Sequence, residues 1–274
     1  MKLLPLLIFL VLIAGCTTKN PKALIHPAGT TVRLRIMPPE SFHWQEEAKD
    51  SFGEFLQNIL VENDEFQILD FHGIPIANQG KHVAVLKYDV GTKDLQQCAD
   101  AVIRMRAEYL YAQKRFDEIA FHFTSGDLFS WNDYKRGIRA IVGKSKVTFS
   151  KLAGYDDSYP NFRRYLDALY MYAGTISLYN ETLPVKNDSL LQAGDIIITP
   201  GSPGHAVLII GCAVSNQGEK LFLLAEGLTP AQSIAINTNP LAPEINPWYH
   251  LTVTAPTTTT ANNVFLRTMI HSFE

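Results

Sequence analysis

The strongest constraint on the fold is a set of three apolar runs in the last third of the chain. Residues 195–199 form a β-branched run, residues 205–212 form a second, and residues 221–226 form a third. Gly- and Pro-containing or Asn- and Gly-containing turns separate them. Short apolar runs bounded by such turns predict buried strands, and the short connections predict antiparallel pairing. The sequence therefore predicts an antiparallel sheet in this region.

Upstream of these runs, hydrophobic periodicity predicts helices mixed with further strands. One helix is expected after a cap at Asp50 or Ser51, and another is expected to begin at the acidic cap Asp94. A third is expected from Tyr159-Pro160 to Ile176. Strands are expected at residues 32–36, 66–71, 82–88 and 119–123, with an irregular aromatic stretch after the last, and a final apolar run covers residues 264–270. The order of elements predicts an α+β fold in a single domain. The N-terminal strands and helix are expected as additions to the core of that fold.

The composition is that of a chain with a full-sized core. Hydrophobic residues make up 46% and charged residues 19% of the sequence, which excludes a disordered, collagenous or coiled-coil protein. The formal net charge of −3 gives no electrostatic attraction to nucleic acid. The eight His residues show no metal-ligand spacing, and no phosphate-binding or dinucleotide motif is present. We therefore expect neither a metal nor a cofactor.

The N-terminus has the pattern of a bacterial export signal. Met1-Lys2 precedes an apolar run over residues 3–14, and the run ends in Leu12-Ile13-Ala14-Gly15-Cys16. That string resembles the lipobox of bacterial lipoproteins, in which a Cys is acylated and becomes the new N-terminus. The resemblance implies a signal peptide over residues 1–15, a lipid on Cys16, a tether over residues 16–30 and a single domain over residues 31–274.

The lipid reading also makes a prediction about location. A lipid on Cys16 implies that the membrane is a partner and that the protein faces the periplasm. Thr17 and Thr18 contain no acidic retention signal, which favours the outer membrane. The sequence gives no indication of protein partners.

Cys98 is the first candidate for a chemical role, because it lies near a predicted helix start. A thiol nucleophile needs a lowered pKa, which a helix N-terminus and a neighbouring imidazole provide. His205 begins a strand directly after a Gly- and Pro-containing loop, so its ring is expected at the edge of the sheet. Glu226 ends the likely partner strand, where its carboxylate can orient the second imidazole nitrogen. The sequence therefore predicts a nucleophile, a general base and an orienting residue.

The cysteines also have interpretations without chemistry. Cysteine is among the most frequently buried residue types, so Cys98 on the apolar face of a helix can be a core residue. Cys98 and Cys212 could form a disulfide in an exported protein. The apolar run around Cys212 predicts a core position for that residue.

The other two candidates have structural interpretations as well. His205 can be a hydrogen-bonded polar residue at a sheet edge. Glu226 can be a solvated strand end, in which case Gln232 or Asp195 could orient the imidazole instead. The alternatives for Cys98, His205 and Glu226 stay open from the sequence alone.

Two resemblances add to these expectations. Residues 191–198 and 204–211 resemble the Gly-Asp turn and the His strand of the NlpC-type and CHAP-type papain-like peptidases and amidases, which cut bacterial cell-wall peptides. In those enzymes a Cys at a helix N-terminus attacks, a His on the following sheet is the base, and a polar residue on the next strand orients it. The resemblance implies a papain-like core, with helices packed on an antiparallel sheet, and assigns these roles to Cys98, His205 and Glu226.

The second resemblance extends over nearly the whole chain. Residues 94–102, 106–110, 123–126, 202–207 and 247–249 are similar to a family of bacterial lipoproteins described only as domain of unknown function 4846. The resemblance to the papain-like peptidases implies a cell-envelope cysteine hydrolase that acts on cell-wall peptide or related amide bonds. The alternative is a lipid-anchored binding or structural module that keeps the papain-like frame without turnover.

Overall fold

The computed structural model describes residues 24–63, 65–266 and 269–273, which form helices packed against an antiparallel sheet. The helices in these ranges are α1 (Val32–Arg35), α2 (Phe52–Gln57), α3 (Cys98–Ala112), α4 (Trp131–Lys135), α5 (Tyr159–Tyr170) and α6 (Thr175–Glu181). The strands are β1 (Phe42–Trp44), β2 (His82–Val85), β3 (Ala120–His122), β4 (Leu128–Ser130), β5 (Ile138–Val142), β6 (Val147–Lys151), β7 (Leu183–Pro184), β8 (Ile196–Thr199), β9 (His205–Ser215), β10 (Lys220–Glu226), β11 (Ala235–Asn237), β12 (Thr258–Thr259), β13 (Val264–Phe265) and β14 (Ile270–Ser272). The α+β class predicted from the sequence is confirmed.

The three apolar runs of the sequence lie next to one another in the main sheet. Its strand order is β2-β11-β10-β9-β8-β14-β7, with β1 added against β9, and the strand pairs are antiparallel. β8 pairs with β9 and β9 pairs with β10, as the short turns between them predict. Three further two-stranded sheets, β3-β4, β5-β6 and β12-β13, lie outside the main sheet.

The central strands are apolar on both faces because both faces are covered. Ala206, Leu208 and Ile210 of β9 belong to the larger hydrophobic cluster, which includes the inner side of α3. Val207 and Ile209, which point to the opposite face, belong to a second cluster behind the sheet. This double coverage explains why β9 reads as a continuous apolar run instead of an alternating one.

Helix α3 begins later than its predicted cap. Gln97 is the N-cap residue, and its N–H donates to Oδ2 of Asp100 at 3.1 Å. Asp94 instead accepts hydrogen bonds from Ala231 N and Gln97 Nε2, which ties the segment before the helix to the loop after β10. The predicted start at Asp94 is therefore wrong, whereas the position of Cys98 in the first turn is confirmed.

The predicted strand over residues 32–36 is a short helix. Thr31 caps it by accepting a hydrogen bond from Leu34 N, and Val32, Arg35 and Ile36 are buried while Leu34 is exposed. Burial at these positions follows the helical period. The sequence pattern misled because Arg35 is buried through hydrogen bonds to backbone carbonyls, so a charged residue occupies an inward position.

Several other element boundaries differ from the sequence expectations. Residues 66–71 form isolated bridges instead of a strand, because their backbone pairs with a neighbouring turn and with Gln232. The helix predicted to run from Tyr159 to Ile176 is divided at residues 171–174 into α5 and α6. The aromatic stretch after β3 is regular and contains β4 and α4. Ser51 is confirmed as the cap of α2, since its hydroxyl accepts from Glu54 N at 3.1 Å.

The N-terminal expectations concern a segment that lies mostly outside the described residues. The predicted signal peptide, Cys16 and the polar residues after it all fall before residue 24. From there onward the chain is in contact with the domain, because Leu24 and Ile25 pack against the core and His26 N donates to Arg35 O. Within the described residues, no helix is both long and apolar enough to cross a membrane.

Candidate active site

His205 and Glu226 meet at one edge of the main sheet. His205 is the first residue of β9 and Glu226 is the last residue of β10. Because these strands are antiparallel neighbours, the start of one lies beside the end of the other. Nε2 of His205 lies 2.5 Å from Oε2 of Glu226, and the two side chains are 15% and 2% exposed. The residues predicted at adjacent strand ends are therefore in hydrogen-bond contact.

The second carboxylate oxygen of Glu226 is held by two asparagines. Asn237 Nδ2 donates to Oε1 at 2.6 Å, and Asn262 Nδ2 donates to the same atom at 2.9 Å. A buried carboxylate needs such partners, since an unpaired buried charge is strongly unfavourable. Sequence reasoning missed both asparagines. The only signal for Asn237 is that it ends a short apolar run at a strand end, and the polar segment around Asn262 offers none.

Cys98 lies half-buried at the N-terminus of α3 and lines a cleft of about 380 Å³. Residues before and within the first helical turn form one side of this cleft, and the α5–α6 connection and residues 201–204 form the other. The Cys98 thiol also lies beside the ring of His205 and interacts with it. Because Nε2 of His205 is bonded to Glu226, Nδ1 is the ring nitrogen that remains for the sulfur. The structure thus brings the three predicted residues together.

These contacts change the protonation of His205. Burial disfavours the charged ring, but the hydrogen bonds and negative charges of Cys98 and Glu226 outweigh it and raise the pKa of His205 to about 9. The imidazole is therefore charged at neutral pH.

The loop before β9 fixes the position of His205. Thr175 Oγ1 donates to Gly201 O at 3.1 Å and accepts from Gly201 N at 3.2 Å, so the start of α6 holds the loop. Gly204 lies so close to this contact that an added Cβ would be 2.1 Å from Thr175 Oγ1 and 2.8 Å from two backbone oxygens. Only glycine fits at this position, directly before the histidine.

Asp100 is an acidic residue that lines the cleft, and sequence reasoning did not select it. Its side chain is buried, and Oδ1 has no hydrogen-bond partner among the described residues; the same holds for the hydroxyl of Tyr170, which lines the same cleft. Burial raises the pKa of Asp100 to about 8, although hydrogen bonds from backbone N–H groups oppose this. The carboxyl group therefore stays largely neutral at pH 7 and adds no negative charge beside Cys98.

The two cysteines form no disulfide, and the other candidate partners of His205 lie elsewhere. Cys98 and Cys212 are both free, so the possible disulfide is not formed. Cys212 is fully buried, as predicted, and burial raises the pKa of its thiol to about 12. Asp195 accepts from Gln192 N, and Gln232 lies against Asp70, so the structure places neither on His205. Across the described residues, no group of three or more His, Cys, Asp or Glu side chains could hold a metal ion.

One protein family matches most of the chain, but its description names no activity. A family model whose description is "Domain of unknown function (4846)" matches residues 32–271. Searches of curated proteins and of solved structures gave no match. The match includes Cys98, His205, Glu226 and both asparagines that hold the carboxylate.

Proposed function

The chain belongs to the family described as domain of unknown function 4846, and since that membership assigns no activity, we propose from the site that the protein is a cysteine hydrolase of peptide or amide bonds. The observation that carries the proposal is the linked set of Cys98, His205 and Glu226 beside a cleft. A thiol at a helix N-terminus, an imidazole and an orienting carboxylate are the parts that nucleophilic catalysis by cysteine requires.

The first chemical step is attack by the Cys98 thiolate on a carbonyl carbon. The charged His205 ring and the positive end of the α3 dipole stabilise the thiolate before substrate arrives. Attack forms a C–S bond and places a negative charge on the carbonyl oxygen. Backbone N–H groups in the first helical turn have no partner within the helix and can donate to that oxygen.

His205 moves the proton in both halves of the reaction. Its ring donates a proton to the leaving amine as the C–N bond breaks, which leaves an acyl group on the Cys98 sulfur. It then accepts a proton from water, which attacks the thioester and releases the acid. Glu226 keeps the ring orientation through Nε2 and stabilises its positive charge.

The order of the elements and the likeness to cell-wall peptidases support a substrate class. A helix that carries Cys98, followed by antiparallel strands that carry His205 and Glu226, is the order expected of a papain-like core. That order and the resemblance of residues 191–198 and 204–211 to cell-wall peptidases support cell-wall peptide or a related amide as substrate. The competing account is a binding module that keeps this frame without turnover.

Digestion of purified cell-wall fragments tests the proposal. The wild type is expected to release new peptide fragments, detected by liquid chromatography with mass spectrometry, and Cys98→Ala is expected to release none. Cys212→Ala is the matched control, since that thiol is buried away from the cleft. Identical fragment profiles for the wild type and Cys98→Ala would favour the binding module.

We also propose that the protein is attached to a membrane through a lipid on Cys16 and faces the periplasm, with the outer membrane favoured. The apolar run that ends in Ala14-Gly15-Cys16 supports the lipid attachment. Positions 17 and 18 are both threonine, not acidic residues, which supports the outer membrane. Mass spectrometry of the N-terminal peptide from membrane fractions is expected to show acylated Cys16. An unmodified Cys16, or a different cleavage site, would contradict this.

A further inference from the structure

The β5–β6 hairpin is a basic element in an acidic protein. Residues 135–151 contain six Lys or Arg residues and no Asp or Glu, whereas the whole sequence has a formal net charge of −3. The two strands form a separate sheet, and the turn between them carries Lys144 and Lys146. Both lysines are exposed, and neither forms an ion pair with a carboxylate in the part of the chain that the structure describes.

These lysines line a cavity of about 560 Å³ between the hairpin turn and the β3–β4 hairpin. Phe123 and Tyr172 form aromatic walls, and Lys144 and Lys146 form one side of the opening. The one carboxylate on the lining, Asp127, accepts a hydrogen bond from Ser125 at 2.8 Å. The cavity therefore combines apolar walls with two cations that form no ion pair among the residues that the structure describes.

The cavity shares a wall with the Cys98 cleft. Tyr172 lines the cavity, and the next residue, Ala173, lines the cleft together with Gly174. The cavity and the cleft therefore meet along the same stretch of backbone, the connection between α5 and α6. The Tyr172 carbonyl accepts a hydrogen bond from Thr124 N at 2.8 Å, which fixes this wall against the β3–β4 hairpin.

We propose that this cavity binds the carboxylate groups of an acidic peptide segment whose scissile bond lies in the Cys98 cleft. The inference deepens the proposed hydrolase function and rests on it for the position of the bond. Lys144 and Lys146 pair with the carboxylates as mobile point charges, and Phe123 and Tyr172 contact the apolar parts of the same segment. The site thereby selects peptides that carry acidic groups a few residues from the cleaved bond.

A peptide fits the observations better than an anionic membrane does. A flat lipid surface would contact the convex side of a hairpin, whereas Lys144 and Lys146 line a concave space with aromatic walls.

Peptide binding to the Cys98→Ala protein tests the site without turnover. The probes are a fluorescein-labelled hexapeptide of alternating alanine and glutamate and its glutamine counterpart, followed by fluorescence anisotropy. The glutamate peptide is expected to bind more tightly than the glutamine peptide. The double variant Lys144→Glu with Lys146→Glu is expected to raise the dissociation constant of the glutamate peptide about tenfold or more, because two charge pairs are lost. Lys49→Glu with Lys186→Glu is the matched control, because it makes the same charge change at exposed lysines outside the cavity.

Three results would overturn the proposal. They are equal binding of the two peptides, an equal loss in the control variant, and lysine-dependent binding of phosphatidylglycerol vesicles without binding of the peptide. A separate measurement tests the link to the cleft: the glutamate peptide is expected to slow alkylation of Cys98 by iodoacetamide in the wild type but not in Lys144→Glu with Lys146→Glu. If the cell-wall digestion fails while anisotropy succeeds, the hydrolase proposal falls and the carboxylate site stands.

Discussion

At the scale of single residues, the site depends on how the protein charges one imidazole. His205 is mostly buried, which alone would keep its ring neutral, yet Glu226 and Cys98 raise its pKa to about 9. The sequence could indicate this set because Cys98, His205 and Glu226 stand at element ends bounded by turn residues. It could not indicate Asp100, Asn237 or Asn262, since their roles depend on burial and on contacts across the fold.

Replacing Glu226 by glutamine is expected to lower the pKa of His205 by at least about one unit, because the amide can still bond the ring but has no negative charge. NMR titration of the His205 Cε1–H signal measures this directly, and the pH profile of Cys98 alkylation provides a second readout. Glu181→Gln is the matched control, since Glu181 pairs with His122 and not with His205. An unchanged titration in Glu226→Gln would show that the carboxylate does not set the charge of the ring.

Replacing Asp100 by asparagine is expected to raise the free energy of unfolding relative to the wild type more at pH 8 than at pH 4. The folded pKa of about 8 lies above the ordinary 3.8, so the folded state keeps a proton that the unfolded state loses in this range. The free energy of unfolding of the wild type therefore falls as pH rises from about 4 to 8, by an amount on the order of a few kcal/mol. Urea denaturation at both pH values checks this.

The control for that experiment is Asp133→Asn, which changes an exposed carboxylate of α4. It should show no comparable pH-dependent gain. A constant difference between Asp100→Asn and the wild type at pH 4 and pH 8 would mean that Asp100 is ionised in the folded state.

At the scale of elements, the loop between β8 and β9 decides where His205 lies. Gly204→Ala is expected to displace this loop, because the new Cβ would meet Thr175 Oγ1 and two backbone oxygens. We expect a loss of stability of about 1–3 kcal/mol and slower alkylation of Cys98. Gly80→Ala is the matched control, since an added Cβ there meets only a side-chain oxygen at 3.9 Å. Equal unfolding midpoints and alkylation rates in the two variants would contradict the argument.

The elements also show what local sequence patterns can and cannot predict. β8, β9 and β10 were predicted because buried apolar runs and turn residues both depend on local sequence. The segment that became α1 was misassigned because five residues fit both periods and because Arg35 finds backbone acceptors only in the folded protein. The late start of α3 could not be predicted, because Asp94 accepts a hydrogen bond from the backbone N–H of Ala231, a residue distant in the chain.

At the scale of the whole molecule, the charge on His205 links stability to pH. Its folded pKa of about 9 exceeds the ordinary 6.5, so its contribution is fully present below pH 6.5 and is lost as pH rises through 9. The free energy of unfolding is therefore expected to fall between pH 6.5 and 8.5, by on the order of 2 kcal/mol from this residue. The half-buried His82 and the buried His271 have lowered pKa values and act in the opposite direction only below that range.

Urea denaturation at pH 6.5, 7.5 and 8.5 measures this decrease together with the one from Asp100. Glu226→Gln should show a smaller total decrease because its His205 is less strongly charged. An unfolding free energy that stays constant across these pH values would contradict the assigned charge of His205.

The two asparagines that hold Glu226 have a consequence for the time at which the site matures. Asn262 lies 36 residues after Glu226 along the chain. A nascent chain therefore contains the thiol and the imidazole before it contains the last donor to the carboxylate. Because a buried carboxylate without its donors is unfavourable, the complete arrangement forms only after residue 262 has been synthesised. Until then the thiol and the imidazole are present without the fully held carboxylate.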